Sequence, residues 1–163
     1  MRVFFILIFC VLGYLANGQM PTWPSVYGRS MNETKQDLKA FLNWHNYKAE
    51  LVESDTSLEV VYRHNSASWL IYATYYFDND GRCNSLATRR CDSVGVLWLK
   101  NRLGDRKKKY RKVGPNKYLS NRKYSMLLEV LDYPSCTYFR ETQLNLTEKE
   151  YKRFREQGVV SGI

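Results

Sequence analysis

The chain has few of the residues on which metal and nucleophile chemistry depends. Only two histidines occur in 163 residues, His45 and His64, and neither belongs to a metal-ligand motif. Cys83 and Cys91 are too widely spaced for a zinc-type pair, and the sequence contains no nucleophile elbow, phosphate-binding loop or HExxH helix. We therefore expect neither an enzyme nor a cofactor or metal.

Long apolar stretches are also missing. The apolar run over residues 3–15 is shorter than the ~20 residues that cross a bilayer. It follows the single charge of Arg2 and precedes the small-residue pattern Ala16-Asn17-Gly18, which is typical of a cleavable secretory signal. We predict a signal peptide over residues 1–18 and a single secreted domain over residues 19–163, with no membrane span.

Cysteine is scarce as well, and one of the four cysteines lies in the predicted signal. In an oxidising compartment the other three, Cys83, Cys91 and Cys136, allow one disulfide and one spare thiol. Asn32 and Asn145 each begin an Asn-x-Thr sequon, which is an acceptor for N-glycosylation on secreted proteins. We predict glycosylation at both, in agreement with secretion.

Acidic residues are outnumbered, 16 to 25, and the excess of positive charge is concentrated in one segment. Residues 100–123 contain eleven lysines or arginines and one acid, Asp105, which gives this segment a charge of +10 in a chain of net charge +9. The densest part comprises Arg106, Lys107, Lys108, Lys109, Arg111 and Lys112. These cations either form a solvated hairpin that protects an edge strand, or a patch for an acidic polysaccharide, an anionic membrane or an acidic protein. Secretion makes nucleic acid a less natural partner, and we expect none.

Hydrophobic periodicity predicts a helix, a series of antiparallel strands and a second helix. Apolar residues at i, i+3 and i+4 predict a helix over residues 34–44, with Thr34 and Asp37 as its capping box. Thr147 and Glu150 form the capping box of the last helix, whose apolar side carries Tyr151 and Phe154. Period-two patterns and turn residues predict strands over residues 58–62, 69–77, 94–99, 107–113, 117–119, 124–131 and 136–141.

Aromatic residues are abundant: thirteen Tyr, seven Phe and four Trp. Several strands are apolar on both faces, as in a small barrel or a sheet covered by helices. The aromatic rings either fill a core or line a cavity for a small amphipathic ligand. Glu129 lies between Leu127 and Leu131 on one strand face. If it points inward its carboxylate needs a partner such as an amine or an arginine, and if it points outward it is a solvated charge.

Two segments resemble a known family. Residues 69–80, Trp-Leu-Ile-Tyr-Ala-Thr-Tyr-Tyr-Phe-Asp-Asn-Asp, resemble the first barrel strand of the tick salivary lipocalins, the histamine-binding-protein family. Cys91 resembles the cysteine that opens the next strand in that family. Residues 127–138 are similar to the family's late hairpin, in which a cysteine follows an acidic turn, and the last helix is in the expected place.

The resemblance implies a mainly β fold: a small antiparallel lipocalin-like β-barrel with a short N-terminal helix and a C-terminal helix. It implies a protein of tick saliva that sequesters histamine, serotonin or a lipid mediator and so modulates host immune defence. By the same resemblance, aromatic rings and carboxylates hold the ligand, and the candidates are Trp69, Tyr72, Tyr75, Asp78, Trp98, Glu129 and Tyr138. The positive charge favours an anionic ligand such as a fatty acid or leukotriene, chiefly through the encounter rate.

The resemblance also bears on the disulfide. The family's further cysteines are missing here, so Cys91 and Cys136 lack their usual partners. If the last strand lies antiparallel beside the first, Cys136 starts near Cys91 and Cys83. We expect the pair Cys91–Cys136, with Cys83 as the alternative partner.

Two other functions remain open. The first is a secreted protein-interaction or glycosaminoglycan-binding module without a usable cavity, acting through the basic segment 100–123. The second is a cystatin-like protease inhibitor, since cystatins also begin with a helix followed by antiparallel strands. Residues 158–162, Gly-Val-Val-Ser-Gly, resemble the wedge loop of that family but lie at the end of the chain and lack its leading glutamine.

Overall fold

The computed structural model describes residues 25–64, 70–91, 93–133 and 136–157. The predicted signal peptide, the candidate ligand residue Trp69 and the segment 158–162 lie outside the described residues. Within them the protein is mainly β, as predicted, with eight antiparallel strands in one sheet and three helices. None of the described helices is both long enough and apolar enough to cross a membrane.

The sheet is open. Its strands are β1 (Tyr47–Glu53), β2 (Ser57–His64), β3 (Ile71–Phe77), β4 (Cys83–Arg90), β5 (Arg111–Gly114), β6 (Lys117–Leu119), β7 (Met126–Tyr133) and β8 (Cys136–Gln143). They are ordered β1-β2-β3-β4-β8-β7-β6-β5, so β1 and β5 are the two edges. No ladder joins these edges among the described residues, and the sheet is therefore not closed into the barrel that the resemblance implied.

The first helix, α1 (Met31–Trp44), is confirmed, but it begins earlier than predicted. Its N-cap is Ser30, whose backbone N–H donates to the Glu33 carboxylate at 2.8 Å while the Ser30 hydroxyl accepts from the Glu33 N–H. The predicted capping box of Thr34 and Asp37 is wrong because Thr34 already lies in the first turn, fully buried against the sheet. The Ser30 hydrogen bonds hold the pKa of Glu33 below its usual value.

The strand predicted over residues 94–99 is wrong, because this segment belongs to a helix, α2 (Ser93–Leu103). Gly95 is buried where α2 crosses β4 and β8. A Cβ added there would lie 3.0 Å from the carbonyl oxygen of Arg90 and 3.2 Å from the Cβ of Thr137. Only a residue without a side chain allows this close approach.

The predicted disulfide is confirmed: Cys91 and Cys136 are joined. The bond links the residue after β4 to the first residue of the neighbouring strand β8. Cys83 remains a buried thiol at the start of β4, and burial raises its pKa to about 12.

The last helix, α3 (Glu148–Gln157), forms as predicted. The Thr147 N–H donates to the Glu150 carboxylate at 2.8 Å and its hydroxyl accepts from the Glu150 N–H, which completes the capping box. Tyr151 and Phe154 are buried with Leu119 of β6 in a small core cluster, separate from the main core that α1 forms with strands β2, β3 and β4.

The basic hairpin is confirmed only in its second half. Strands β5 and β6 pair around the turn at Asn116, which adopts a positive φ of 55°. Residues 107–110, predicted to be extended, instead form a turn and loop before β5. The turn is built on Asp105, whose Oδ1 accepts hydrogen bonds from the backbone N–H groups of Lys107 at 2.8 Å and Lys108 at 3.3 Å.

Candidate functional site

A cavity of about 520 Å³ lies between the sheet and the two helices α1 and α2. Its sheet wall is built by register: alternate residues of a strand share a face, and directly paired residues lie side by side. Ile71 pairs with Arg90, and Thr88 with Phe139. Together with Leu86 these side chains form the cavity wall.

One end of the cavity is aromatic. Tyr47 and Tyr62 meet edge to face with ring centroids 5.4 Å apart, and Phe41 of α1 stacks on Tyr47 at 6.2 Å. Burial raises the pKa of the Tyr62 hydroxyl far above its ordinary value, so the group stays neutral. This end therefore offers apolar ring surface.

The α2 side of the cavity carries a tryptophan and two arginines. Arg90, the last residue of β4, is only 5% exposed, and its guanidinium carbon lies 4.6 Å from the centroid of the Trp98 ring. This distance is within the range of a cation–π contact. Arg102 lines the same side, one turn beyond Trp98, with Asn101 and Asp105. A guanidinium is a rigid fork of N–H donors that suits a carboxylate or phosphate.

Arg102 also reaches a buried carboxylate. The side chain of Glu141 is 1% exposed, and its carboxylate forms ion pairs with Arg102 Nη2 at 3.1 Å and with Lys108 Nζ at 3.1 Å. The Tyr110 hydroxyl donates to the same carboxylate at 2.7 Å, and the Tyr27 hydroxyl donates to the Glu141 backbone carbonyl at 3.4 Å. We call Glu141, Arg102, Lys108 and Tyr110 the Glu141 cluster; it connects the cavity to the basic segment.

The Glu141 cluster was not identified from the sequence, although one signal was available. Glu141 lies two residues after Phe139 in a predicted strand, and therefore on the same face.

Burial, followed by the charge of Glu141 and the hydrogen bond to it, raises the pKa of Tyr110 far above its ordinary value. Tyr110 therefore remains a hydrogen-bond donor at neutral pH.

The predicted aromatic ligand residues are divided between the two faces of the sheet. Trp98 lines the cavity. Tyr75 is fully buried on the same sheet face, paired with Leu86. Tyr72 and Tyr138 lie on the opposite face, on either side of Arg89, which pairs with both.

The two predicted carboxylates lie away from the cavity. Asp78 organises the turn after β3, where its Oδ1 accepts the backbone N–H groups of Asp80 at 3.1 Å and Arg82 at 2.8 Å. Glu129 lies on the outer face of β7 and pairs with Lys117 at 3.0 Å. The acid that lines the cavity is Asp105, and hydrogen bonds from backbone N–H groups, that of Lys107 first, hold its pKa below the usual value.

The surface candidates are mostly exposed. Of the predicted basic patch only Lys108 turns inward, to Glu141, whereas Arg106, Lys107, Lys109, Arg111 and Lys112 are exposed. Asn32 and Asn145 are both exposed, and glycosylation there stays a prediction.

Within residues 25–64, 70–91, 93–133 and 136–157, no three His, Cys, Asp or Glu side chains are grouped to hold a metal ion. No protein-family model, curated protein or solved structure matches the sequence or fold of this chain.

Proposed function

We propose that the protein is a secreted, non-enzymatic binding protein that captures a small amphipathic mediator, and that its ligand is an anion with an apolar body, such as a fatty acid or leukotriene. The observation that carries this proposal is the cavity between the sheet and α2, with aromatic rings at one end and two arginines on its α2 side. An open sheet serves this purpose because α2 covers the face that a barrel would have enclosed.

The dimensions and chemistry of the cavity support a ligand of this class. Small-molecule sites typically measure ~300–1,000 Å³ and combine apolar walls with a few polar groups that fix orientation. The cavity volume of about 520 Å³ is within that range. An apolar tail would lie along Ile71, Leu86 and Phe139, where each Å² of apolar surface removed from water contributes roughly 25 cal/mol.

The charges favour an anionic over a cationic head group. Arg90 and Arg102 line the cavity, whereas the acid that lines it, Asp105, accepts two backbone hydrogen bonds. Glu141 is already engaged by Arg102 and Lys108. Because Arg102 is engaged by Glu141 in turn, an ammonium ligand such as histamine or serotonin would face chiefly the guanidinium of Arg90. Like charges brought together in a desolvated site cost binding energy.

The test is a ligand screen with matched variants. The mature chain, residues 19–163 with its disulfide intact, is titrated with a long-chain fatty acid, its methyl ester, a leukotriene, histamine and serotonin. Binding is followed by native mass spectrometry and by tryptophan fluorescence, with Trp98→Phe as the reference for the fluorescence signal. We expect the acids to bind and the methyl ester to bind at least about tenfold more weakly, since a good charged contact contributes ~1.5–3 kcal/mol.

Arg90→Met removes the cavity guanidinium, and Arg89→Met is its control, because Arg89 lies one residue away on the outer face over the Tyr72 ring. We expect only Arg90→Met to weaken the acids. Equal affinities for acid and ester, or capture of histamine alone, would contradict the anionic ligand. Absence of binding by every compound would contradict the capture function.

A further inference from the structure

Two loops at one end of the sheet are joined to each other by hydrogen bonds. The first connects α2 to β5 over residues 104–110, and the second connects β6 to β7 over residues 120–125. The Asn121 side-chain amide donates to the Lys107 carbonyl at 2.6 Å, and the Asn121 backbone N–H donates to the Lys108 carbonyl at 2.7 Å. Segments that are distant in sequence thus form one continuous surface.

This surface is strongly basic. Six exposed cations of this surface are together called the two-loop platform: Arg106, Lys107 and Lys109 of the first loop, Arg111 and Lys112 at the adjoining start of β5, and Lys123 of the second loop. Within the described parts of the chain no ion pair joins any of these six to an acid. Other cations of the segment are neutralised: Lys108 by Glu141, Lys117 by Glu129 and Arg122 by Glu148 at 3.1 Å. The structure therefore separates the cations that are available to a partner from those that stabilise the fold.

The platform lies apart from the large exposed apolar side chains. The first residue of β7, Met126, pairs with the last residue of β8, whereas the disulfide joins the other ends of β4 and β8. Five of the six large exposed apolar residues in the described chain lie at the disulfide end, next to the starts of β1 and β3 and in the first turns of α2: Trp44, Leu70, Val94, Val96 and Leu97. The sixth, Val52, lies near the end of β1, the edge strand farthest from β5. Among the described residues none of this type lies on the two loops.

This separation distinguishes between two classes of anionic partner. Surfaces that bind membranes combine cations with apolar side chains that enter the lipid, and here the large exposed apolar residues of the described chain lie away from the two loops. A hydrophilic polyanion needs only the cations and polar neighbours. A shallow groove of about 470 Å³ adjoins Lys123 and is lined by Tyr124 and Gln143, which offer hydrogen-bonding groups to sugar hydroxyls.

We propose that the two-loop platform is a second binding site, which takes a sulfated glycosaminoglycan. Sulfate groups spaced along the polysaccharide contact cations of both loops, and the sugar rings lie along the groove beside Lys123. The site depends on secretion of the protein but not on an occupied cavity. Its effect is to hold the protein on an extracellular matrix or cell surface where the mediator is released.

The test compares two variants that lose the same charge. Lys107→Ala/Lys109→Ala/Lys123→Ala removes three cations of the platform. Lys39→Ala/Lys48→Ala/Lys149→Ala removes three exposed lysines elsewhere. Affinity for a heparin oligosaccharide is measured by calorimetry at several salt concentrations, in the background of Asn145→Gln so that no glycan borders the groove. We expect the platform variant to lose at least about tenfold in affinity and its salt slope to fall by roughly one per cation removed. We expect the control to lose less than about twofold.

Several outcomes overturn the site. Equal losses in both variants mean that net charge alone retains heparin. Vesicles containing phosphatidylserine that bind more tightly than heparin identify a membrane partner instead. Arg90→Met changes the cavity but leaves the platform intact, so we expect heparin to bind this variant as it binds the wild type. Measuring heparin and fatty acid binding on the same variant therefore distinguishes a failure of the capture function from a failure of this site.

Discussion

Replacing Glu141 by leucine tests the energetics of the Glu141 cluster. The carboxylate lies on the core face of the sheet between Leu86 and Leu128, its two cross-strand neighbours. Leucine has a similar volume and fits an apolar row, so the substitution changes charge rather than packing. It leaves Arg102 and Lys108 without their acid and the Tyr110 hydroxyl without its acceptor.

The expected loss in the free energy of unfolding is about 2–3 kcal/mol. Removing one partner of a fully buried ion pair costs ~3–5 kcal/mol. The expected loss lies below that range because the side chains of Arg102 and Lys108 are 41% and 16% exposed. Without Glu141 their charged groups are partly hydrated, which lowers the cost of losing the ion pair. The orphaned Tyr110 hydroxyl contributes ~1 kcal/mol to the total.

Urea unfolding followed by tryptophan fluorescence measures this loss as a lower midpoint at an unchanged m-value. The variant Lys108→Met/Tyr110→Phe/Glu141→Leu, which is apolar at three positions, should recover much of the stability, because two polar groups no longer lack a partner. If Glu141→Leu alone unfolds within about 0.5 kcal/mol of the wild type, the carboxylate is solvated and the burial argument is refuted.

Two further predictions concern α2 and the buried phenols. Gly95→Ala should lower the free energy of unfolding by about 1–3 kcal/mol and weaken ligand binding, because the added methyl displaces α2 from β4. Urea unfolding measures the first effect and ligand titration the second. The control is Val96→Ala, since Val96 is exposed on the same helix. Burial raises the pKa of Tyr27, Tyr62 and Tyr110 in the folded protein. As pH rises, these phenols therefore ionise in the unfolded chain at a lower pH than in the folded protein. The stability that they contribute is present below pH ~10 and is lost as pH rises beyond it. Ultraviolet titration should show these three phenols ionising only when the protein unfolds, and reversible ionisation of all twelve tyrosines of residues 19–163 in the folded state would contradict their burial.

Elements with strong local signals were predictable. Strand β3 alternates buried and half-buried residues in the pattern expected of a strand with one face on a core. Helix α3 begins at the capping box of Thr147 and Glu150, because both hydrogen bonds connect residues three apart and need no tertiary partner. The disulfide was predicted by placing the last strand beside the first barrel strand, which corresponds to β3. In the structure β8 pairs instead with β4, the neighbour of β3, and Cys91 follows the last residue of β4, so the predicted pair still forms.

Elements whose signals depend on tertiary contacts were not predictable. Strand β4 carries Asn84, Arg89 and Arg90, and this polar composition conceals a central strand paired on both sides. Residues 94–99 alternate apolar side chains as a strand does, yet they form α2. The helix is favoured because Gly95 and Trp98, three apart, then face the sheet together.

The candidate site was found only in part for the same reason. Trp98 was identified, although it was assigned to a strand. The roles of Arg90 and Glu141 depend on cross-strand register between β4 and β8, whose paired residues lie about fifty positions apart in the chain. No local pattern shows that a buried arginine will lie under a tryptophan of the following helix.

Helix α2 is held to the sheet at both ends, by a disulfide at its start and by an ion pair in its last turn. The covalent Cys91–Cys136 bond precedes its first residue, whereas its last turn is held by the ion pair of Arg102 with Glu141.

An anionic ligand in the cavity competes with Glu141 for the Arg102 guanidinium. Glu141→Gln removes the competing charge but keeps an acceptor for the Tyr110 hydroxyl. We therefore expect it to destabilise the protein while tightening the binding of a fatty acid by about threefold to tenfold, because the guanidinium no longer has to leave a carboxylate. Unfolding and ligand titrations of the same variant measure both effects. Affinity that falls together with stability would mean that Glu141 orients Arg102 for the ligand instead of competing with it.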